Sequence, residues 1–495
     1  MKRLFKFLLL IILYSSTYSQ PKSLTILHTN DMHAAFIPHE AFWVRDSVKP
    51  LVGGFIELSA TVDSIKNVKN VLLLDAGDVM TGNPITEYKY KGAYGGALFE
   101  MMNMIGYDAW CPGNHDFDIS QDNFVKLTKV AKFPTISANL VNKKNKRHLN
   151  NKDYVIIERA GIKIGIIGII SQQLYSLVNQ NNLKGIKVLS PLETLQNIIN
   201  KIDDKTDLII ALTHQGFVED SILATNITGL DIIIGSHSHT RIRNPKLING
   251  VIVAQAGSDC ENLGELYIEV ENDKVINFNG KLIQLWHRPD RKVKNIKLAK
   301  FVDSIKRVVD KDYNKVIAEL ETDWKRENGE SNIGNFITDA QRIAVHADVA
   351  FMNNHGIRKD LSRGPVTRMD LFNVLPFRNV LTTFQLTGKQ IKSIVEYIIS
   401  TKSPVQTSGI KCQYKKQGER IEFIKFEIQG KPLDEEKSYI CTVNDYMLGE
   451  AKRYLGIEIP VANYLNMTLY EEVEKYLKKV KKVNSQKENR LEEVF

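Results

Sequence analysis

Five short apolar runs constrain this chain more than any other feature. They are "LTILHTND" (24–31), "NVLLLDAGD" (70–78), "DLIIALTHQG" (207–216), "DIIIGSHSH" (231–239) and "GVIVAQAG" (250–257). Apolar residues run together in each without period-two alternation, the pattern of strands buried on both faces. Each run gives way to polar or glycine residues at its carboxyl end. In α/β sheets ligands bind outside that end, so the runs predict one shared rim. "DYVIIERAGIKIGIIGII" predicts a hairpin around Ala160 and Gly161, and "GELYIEVENDKVINFNGKLIQL" another around Asn272 and Asp273, which makes the sheets mixed.

At 495 residues the chain exceeds one ordinary core, and two domains are expected. Residues 1–20 have a basic start, an apolar run from Phe5 to Tyr14 and a polar end. They read as a secretory signal peptide rather than a bilayer span. An exported mature protein without stable membrane insertion, periplasmic or extracellular, follows as an expectation. The formal charge is +9, and losing Lys2, Arg3 and Lys6 with the leader would leave +6. The basic residues, as in "KKNKR" (143–147), lack interleaved aromatics and read as solvated faces, not as a nucleic-acid stripe. Of the four cysteines, Cys412 and Cys441 are a possible disulfide pair.

From these patterns residues 21–290 form a first α/β domain, 291–316 a charged helical linker, and 317–480 a second, smaller α/β domain. Residues 481–495 form a charged tail that composition marks as disordered. The second domain is marked by the helix "NIGNFITDAQRIAVHA", the strand "DVAFMNN" and the helix "GKQIKSIVEYIIS".

Five of the eleven histidines fall in the rim segments. Asp31 and His33 are two apart, as are His237 and His239; Asp78 closes "DAGD" and His214 closes "ALTH". "CPGNHDFD" (111–118) adds Asn114, His115, Asp116 and Asp118. Alone, that cluster reads as a polar turn. With the other rim residues it does not, because each unpaired buried polar group costs about 1 to 3 kcal/mol and a shared cation offsets that cost. Imidazole, carboxylate and amide donors suit Zn, Mn, Fe or Co better than Mg or Ca. The donors outnumber one tetrahedral shell. Two divalent ions about 3.5 to 4 Å apart, sharing a carboxylate, would use them all.

"LTILHTNDMH", "DAGDVMTG", "GNHDFD", "THQG" and "GSHSH", in that order, resemble the calcineurin-like metallophosphoesterase domain of the 5′-nucleotidase and UDP-sugar hydrolase family. "NIGNFITDA", "NNHGIR" and "LPF" resemble its carboxyl-terminal substrate-binding domain. The resemblance implies an α/β sandwich with mixed sheets, a helical linker and a smaller α/β substrate domain. It implies that Asp31, His33 and His239 hold one metal (Zn, Mn or Co), that Asn114, His214 and His237 hold the other, and that Asp78 bridges them. His115 would stabilise charge on the phosphate and assist the leaving alkoxide, oriented by Asp118; Asp116 stands where the family more often has Glu. In the second domain the resemblance places Arg358 on the substrate phosphate, Asn353 and Asn354 on nucleoside or phosphate, and Phe377 and Tyr446 on either side of a nucleotide base.

The chain departs from the family in places. "TVNDYMLGEAKRY" stands in place of a glycine-rich segment that binds ribose, Gly329 in place of an arginine, and His355 in place of a glycine. These changes leave the metal residues intact and the nucleoside specificity open. Three functions follow as expectations: release of phosphate from nucleoside 5′-monophosphates, hydrolysis of cyclic nucleotides or nucleotide sugars by the same metal pair, and a non-catalytic exported binding protein.

Overall fold

A computed structural model describes residues 21–494, apart from 42, 47, 145–148, 292, 419 and 460. The expected signal peptide and most of the basic loop at 143–147 lie outside the described residues. Two mixed sheets make up the amino-terminal part. The first runs in the order Lys274–Gln284, Asn262–Glu271, Lys22–Thr29, Val71–Asp75, Ala109–Trp110. The second runs Lys246–Ile248, Val251–Ala254, Ile232–Ile234, Leu208–His214, Ile162–Ile170, Tyr154–Arg159. The predicted strands divide between these two sheets, as the expected sandwich requires.

The apolar runs show why. Leu24, Ile26, Leu72 and Leu74 of the first sheet and Ile164, Ile210, Leu212, Ile232 and Ile252 of the second share one buried cluster, the sandwich interior. On the second sheet's other face, Ile209, Ala211, Ile233 and Val253 pack with Leu195, Ile199 and Leu223 of the helices Pro191–Ile202 and Phe217–Asn226. With helices outside and a sheet inside, neither strand face meets water. Both hairpins form where expected, with Ala160, Gly161, Asn272 and Asp273 at positive φ, as type I′ turns require.

Asn295 caps the helix Ile296–Tyr313, which buries Leu298, Val302, Val309 and Tyr313. Beyond it a five-stranded sheet runs Val405–Ser408, Val349–Asn353, Ser438–Asn444, Val380–Thr387, Asn463–Thr468. The chain is thus an α/β protein of two domains. The four cysteines are buried free thiols, so Cys412 and Cys441 are not joined. Among the described residues no helix is long and apolar enough to cross a membrane.

The charged tail is ordered, contrary to its composition. Lys482–Val483 pairs with Val316–Leu320, and Leu491–Glu493 pairs with Ile410–Gln417. Composition misled because the charges have partners. Arg490 is buried, with a guanidinium nitrogen 2.7 Å from Asp339, and the Glu330 carboxylate accepts the N–H groups of Glu488 and Arg490 at 2.7 Å each.

Ile210 is fully buried between the two sheets. Ile210→Ala is expected to cost about 2 to 5 kcal/mol, the usual range for a core truncation that leaves a cavity, read as a lower midpoint in denaturant unfolding.

Candidate metal centre and active site

Strands of both sheets deliver their carboxyl ends to one rim. Lys22–Thr29 and Val71–Asp75 run parallel, as do Ala109–Trp110 beside Val71–Asp75, Leu208–His214 beside Ile162–Ile170, and Ile232–Ile234 beside Leu208–His214. Two triads meet there. Donor atoms of Asp31, His33 and His239 lie within 4.8 Å of one another, and so do those of Asp78, His214 and His237. Asn114 joins the second, its amide oxygen 3.2 Å from His214 Nε2. All seven expected ligands are therefore together.

Their backbone is costly to hold. Asp31, His33, Asp78, His237 and His239 all have positive φ, between 46° and 72°, a conformation rare outside glycine. Cross-loop hydrogen bonds keep them there. Asp31 N–H donates to Gly77 O at 2.8 Å, His33 N–H to Asp78 O at 2.9 Å, and His237 N–H to Asp31 Oδ2 at 2.9 Å.

The sequence reading gave Asp116 no role. In the structure its buried carboxylate accepts four backbone N–H groups, from Gly113 (2.8 Å), Asp78 (3.0 Å), Val79 (3.1 Å) and Met80 (3.1 Å), and so joins the Asp78 turn to the Asn114 loop. Burial and the Asp78 charge raise its carboxyl to about 7, while the N–H donors pull it down. The only sequence signal was an acidic residue one position beyond His115.

The donor set fits divalent cations. His33 Nδ1 faces the Thr81 carbonyl at 3.2 Å and His214 Nδ1 the Ala76 carbonyl at 2.9 Å. A carbonyl only accepts, so each Nδ1 carries hydrogen and Nε2 is the ring nitrogen turned into the centre. His33 Nε2 there meets His239 Nε2 at 3.1 Å, and His214 Nε2 meets Asp78 Oδ2 at 3.2 Å. Imidazole nitrogens and carboxylate oxygens converging this closely form two groups that could each hold a metal ion. Burial disfavours charge on His214, yet the Asp78 carboxylate raises its pKa to about 9. Burial likewise opposes the Asp78 charge, but His214 and His115 hold that carboxyl well below the usual range.

His115 Nδ1–H donates to Asp118 Oδ2 at 2.7 Å, and its backbone N–H donates to Asp78 Oδ1 at 2.7 Å. Burial works against the imidazolium, but the Asp118 and Asp78 charges raise its pKa to about 10. The Phe377 ring of the second domain stacks on His115, with centroids 6.3 Å apart and planes 21° apart, and the Arg358 guanidinium lies 5.8 Å from the Phe377 centroid.

Asn353 and Tyr446 of the second domain are placed differently. Asn353 is buried, and its amide oxygen accepts the Asn444 side chain at 3.0 Å. Tyr446 packs on Tyr454 at 6.4 Å inside its own domain, while Phe377 turns to His115. Asn353 thus serves the fold of its domain, and the two expected stacking rings have separate partners.

Residues 24–241 match the family model described as calcineurin-like phosphoesterase, and residues 315–456 match the one described as 5′-nucleotidase, C-terminal domain. The chain belongs to the metallophosphoesterases of the 5′-nucleotidase family. It is 28% identical to a 5′-nucleotidase of Vibrio vulnificus over 86% of this chain and 84% of that protein. It is 27% identical to the trifunctional nucleotide phosphoesterase protein YfkN of Bacillus subtilis over 95% of this chain, which spans only 35% of that relative's length. The crystal structure of a 5′-nucleotidase precursor from Thermus thermophilus superposes with a TM-score of 0.75 at 26% identity, covering 95% of this chain and 99% of that one. Membership makes this metallophosphoesterase a metal-dependent phosphoric ester hydrolase.

Asp116→Ala leaves four buried N–H groups without an acceptor. At about 1 to 3 kcal/mol for each such group, the variant is expected to melt lower and to bind less metal than the parent, read by calorimetry and elemental analysis of one preparation.

Proposed function

We propose that this chain is an exported dimetal phosphohydrolase that releases phosphate from nucleoside 5′-monophosphates. One observation carries the reading: the two donor triads share a rim with the His115–Asp118 pair, against which the second domain lays Phe377, with the Arg358 guanidinium beside that ring. Asp31, His33 and His239 would hold one divalent cation, Asn114, His214 and His237 the other, and Asp78 both. When bound, the cations supply Lewis acidity, acidifying water and neutralising charge on the phosphate.

The chain's own side chains do the rest. Asp118 fixes the His115 proton at Nδ1 and the plane of the ring, which frees Nε2 to stabilise a phosphate oxygen and to hand a proton to the leaving alkoxide. Arg358 is exposed and free to grip phosphate oxygens with its guanidinium fork. Phe377 offers a face to the base and shields the dyad from water. We read residues 21–290 as the catalytic domain, 291–316 as the linker and 317–480 as the substrate domain. The helix Ile296–Tyr313, with separate sheets on either side, supports that division. Residues 1–20 are read as a signal peptide on their composition.

A second reading, hydrolysis of cyclic nucleotides or nucleotide sugars, draws support from the separate placement of Phe377 and Tyr446 and from the relative named a trifunctional nucleotide phosphoesterase. Rates on AMP, UDP-glucose and 2′,3′-cyclic AMP separate the two. The leading reading expects AMP to be fastest, and a negligible AMP rate beside a fast diester rate rejects it. His115→Ala is expected to lower kcat by at least about 100-fold while both metals stay bound, measured by phosphate release and metal analysis.

A further inference from the structure

Thr81 lies outside the ligand set and outside the dyad, yet it touches both. It is buried, and its φ of 66° is strained for a β-branched side chain. Its hydroxyl donates to Asp118 Oδ2 at 2.6 Å, the same oxygen that accepts His115 Nδ1–H at 2.7 Å. Its carbonyl accepts from His33 Nδ1 at 3.2 Å. Gly82, next in the chain, has a φ of 121°, and a Cβ there would meet His33 O at 2.4 Å and His33 Cβ at 3.1 Å. The Thr81–Gly82 turn therefore wraps His33 on one side and reaches the dyad on the other.

We propose that Thr81 is a positioning residue that fixes the Asp118 carboxylate with its hydroxyl and the His33 imidazole with its carbonyl, locking the dyad to the first metal triad. The proposal rests on reading His115 and Asp118 as the dyad and His33 as a ligand. Its physical basis is rotational. A carboxylate held by a single imidazole donor can still turn about Cβ–Cγ, and the imidazole turns with it. A second donor on the same oxygen, from a buried residue with a fixed backbone, removes that freedom. The strain at Thr81 is of the kind that a site retains where the geometry it enforces is used.

The two contacts come apart experimentally. Thr81→Val keeps the shape and the carbonyl but loses the hydroxyl; Thr81→Ser keeps the hydroxyl. Thr81→Val is expected to lower kcat on AMP by about 10- to 100-fold, the scale for partners that orient a catalytic group, with KM and bound metal unchanged. Thr81→Ser is expected to recover most of that loss, and Thr81→Val placed on Asp118→Asn to add little. In the protein without added nucleotide, the low-field proton resonance of His115 Nδ1–H should shift in Thr81→Val and return in Thr81→Ser. Full activity in Thr81→Val, equal losses in Val and Ser, or effects additive with Asp118→Asn would each overturn the proposal. If Val impairs folding, Thr81→Ala supplies the same comparison. A parent that releases phosphate from no substrate refutes the functional reading alone, and an unmoved His115 resonance in Thr81→Val then decides against the contact itself.

Discussion

Four backbone N–H groups converging on the Asp116 carboxylate are the contact on which the rest of the centre depends. Asp78 sits in a left-handed turn, and Asn114 on a separate loop. No continuous element links the two, and a turn of that kind is not stable alone. A buried carboxylate that accepts from both sides makes them one body. The same logic recurs at Asp31, whose oxygens take the His237 N–H and whose own N–H goes to Gly77. The donor residues are thus placed by backbone hydrogen bonds, the kind of support a preorganised site needs.

The sandwich explains why donors so distant in sequence can meet. Asp31, Asp78 and Asn114 follow strands of one sheet, while His214 ends one strand of the other and His237 follows the next. Stacked sheets lie about 10 Å apart, a gap that side chains from the two edges span when they lean toward each other. A single sheet would spread the same residues along a line of strands spaced about 4.8 Å apart. Close packing has a corollary for glycine. A Cβ on Gly113 would lie 2.2 Å from Asp78 Oδ1 and 2.4 Å from His214 Cε1, so the loop carrying Asn114 approaches only because that position has no side chain.

Much of this was legible in the sequence, and the limits have physical causes. Strands buried on both faces leave long apolar runs, and their carboxyl ends name the rim, so the fold class and the seven converging donors could be read directly. Strand order could not, because pairing across a sheet is set by partners far away in the chain. Asp116 and Thr81 were missed because they act through backbone N–H groups and a strained turn, and neither leaves a periodic pattern. The tail was misread because composition counts charges without their partners: Arg490 and Glu330 satisfy each other's segments in the folded chain. Asn353 and Tyr446 rest on motif resemblance, and in the structure they make contacts within their own domain.

The stretch from Asp78 to Glu87 ties these observations together. It begins with a residue of the second donor triad and passes through Thr81, whose hydroxyl donates to the Asp118 carboxylate. It ends at Glu87, whose carboxylate accepts the Tyr313 hydroxyl of the linker helix at 2.6 Å and pairs with Arg378 of the second domain at 2.8 Å. Arg378 directly follows Phe377, the ring stacked on His115. One short segment therefore touches the donor groups, the Asp118 carboxylate and the opposing domain. A shift of the second domain that broke the Glu87 contacts would withdraw Phe377 from His115 without touching the donors. The donor groups on the rim and the Phe377 contact with His115 are consequently separable.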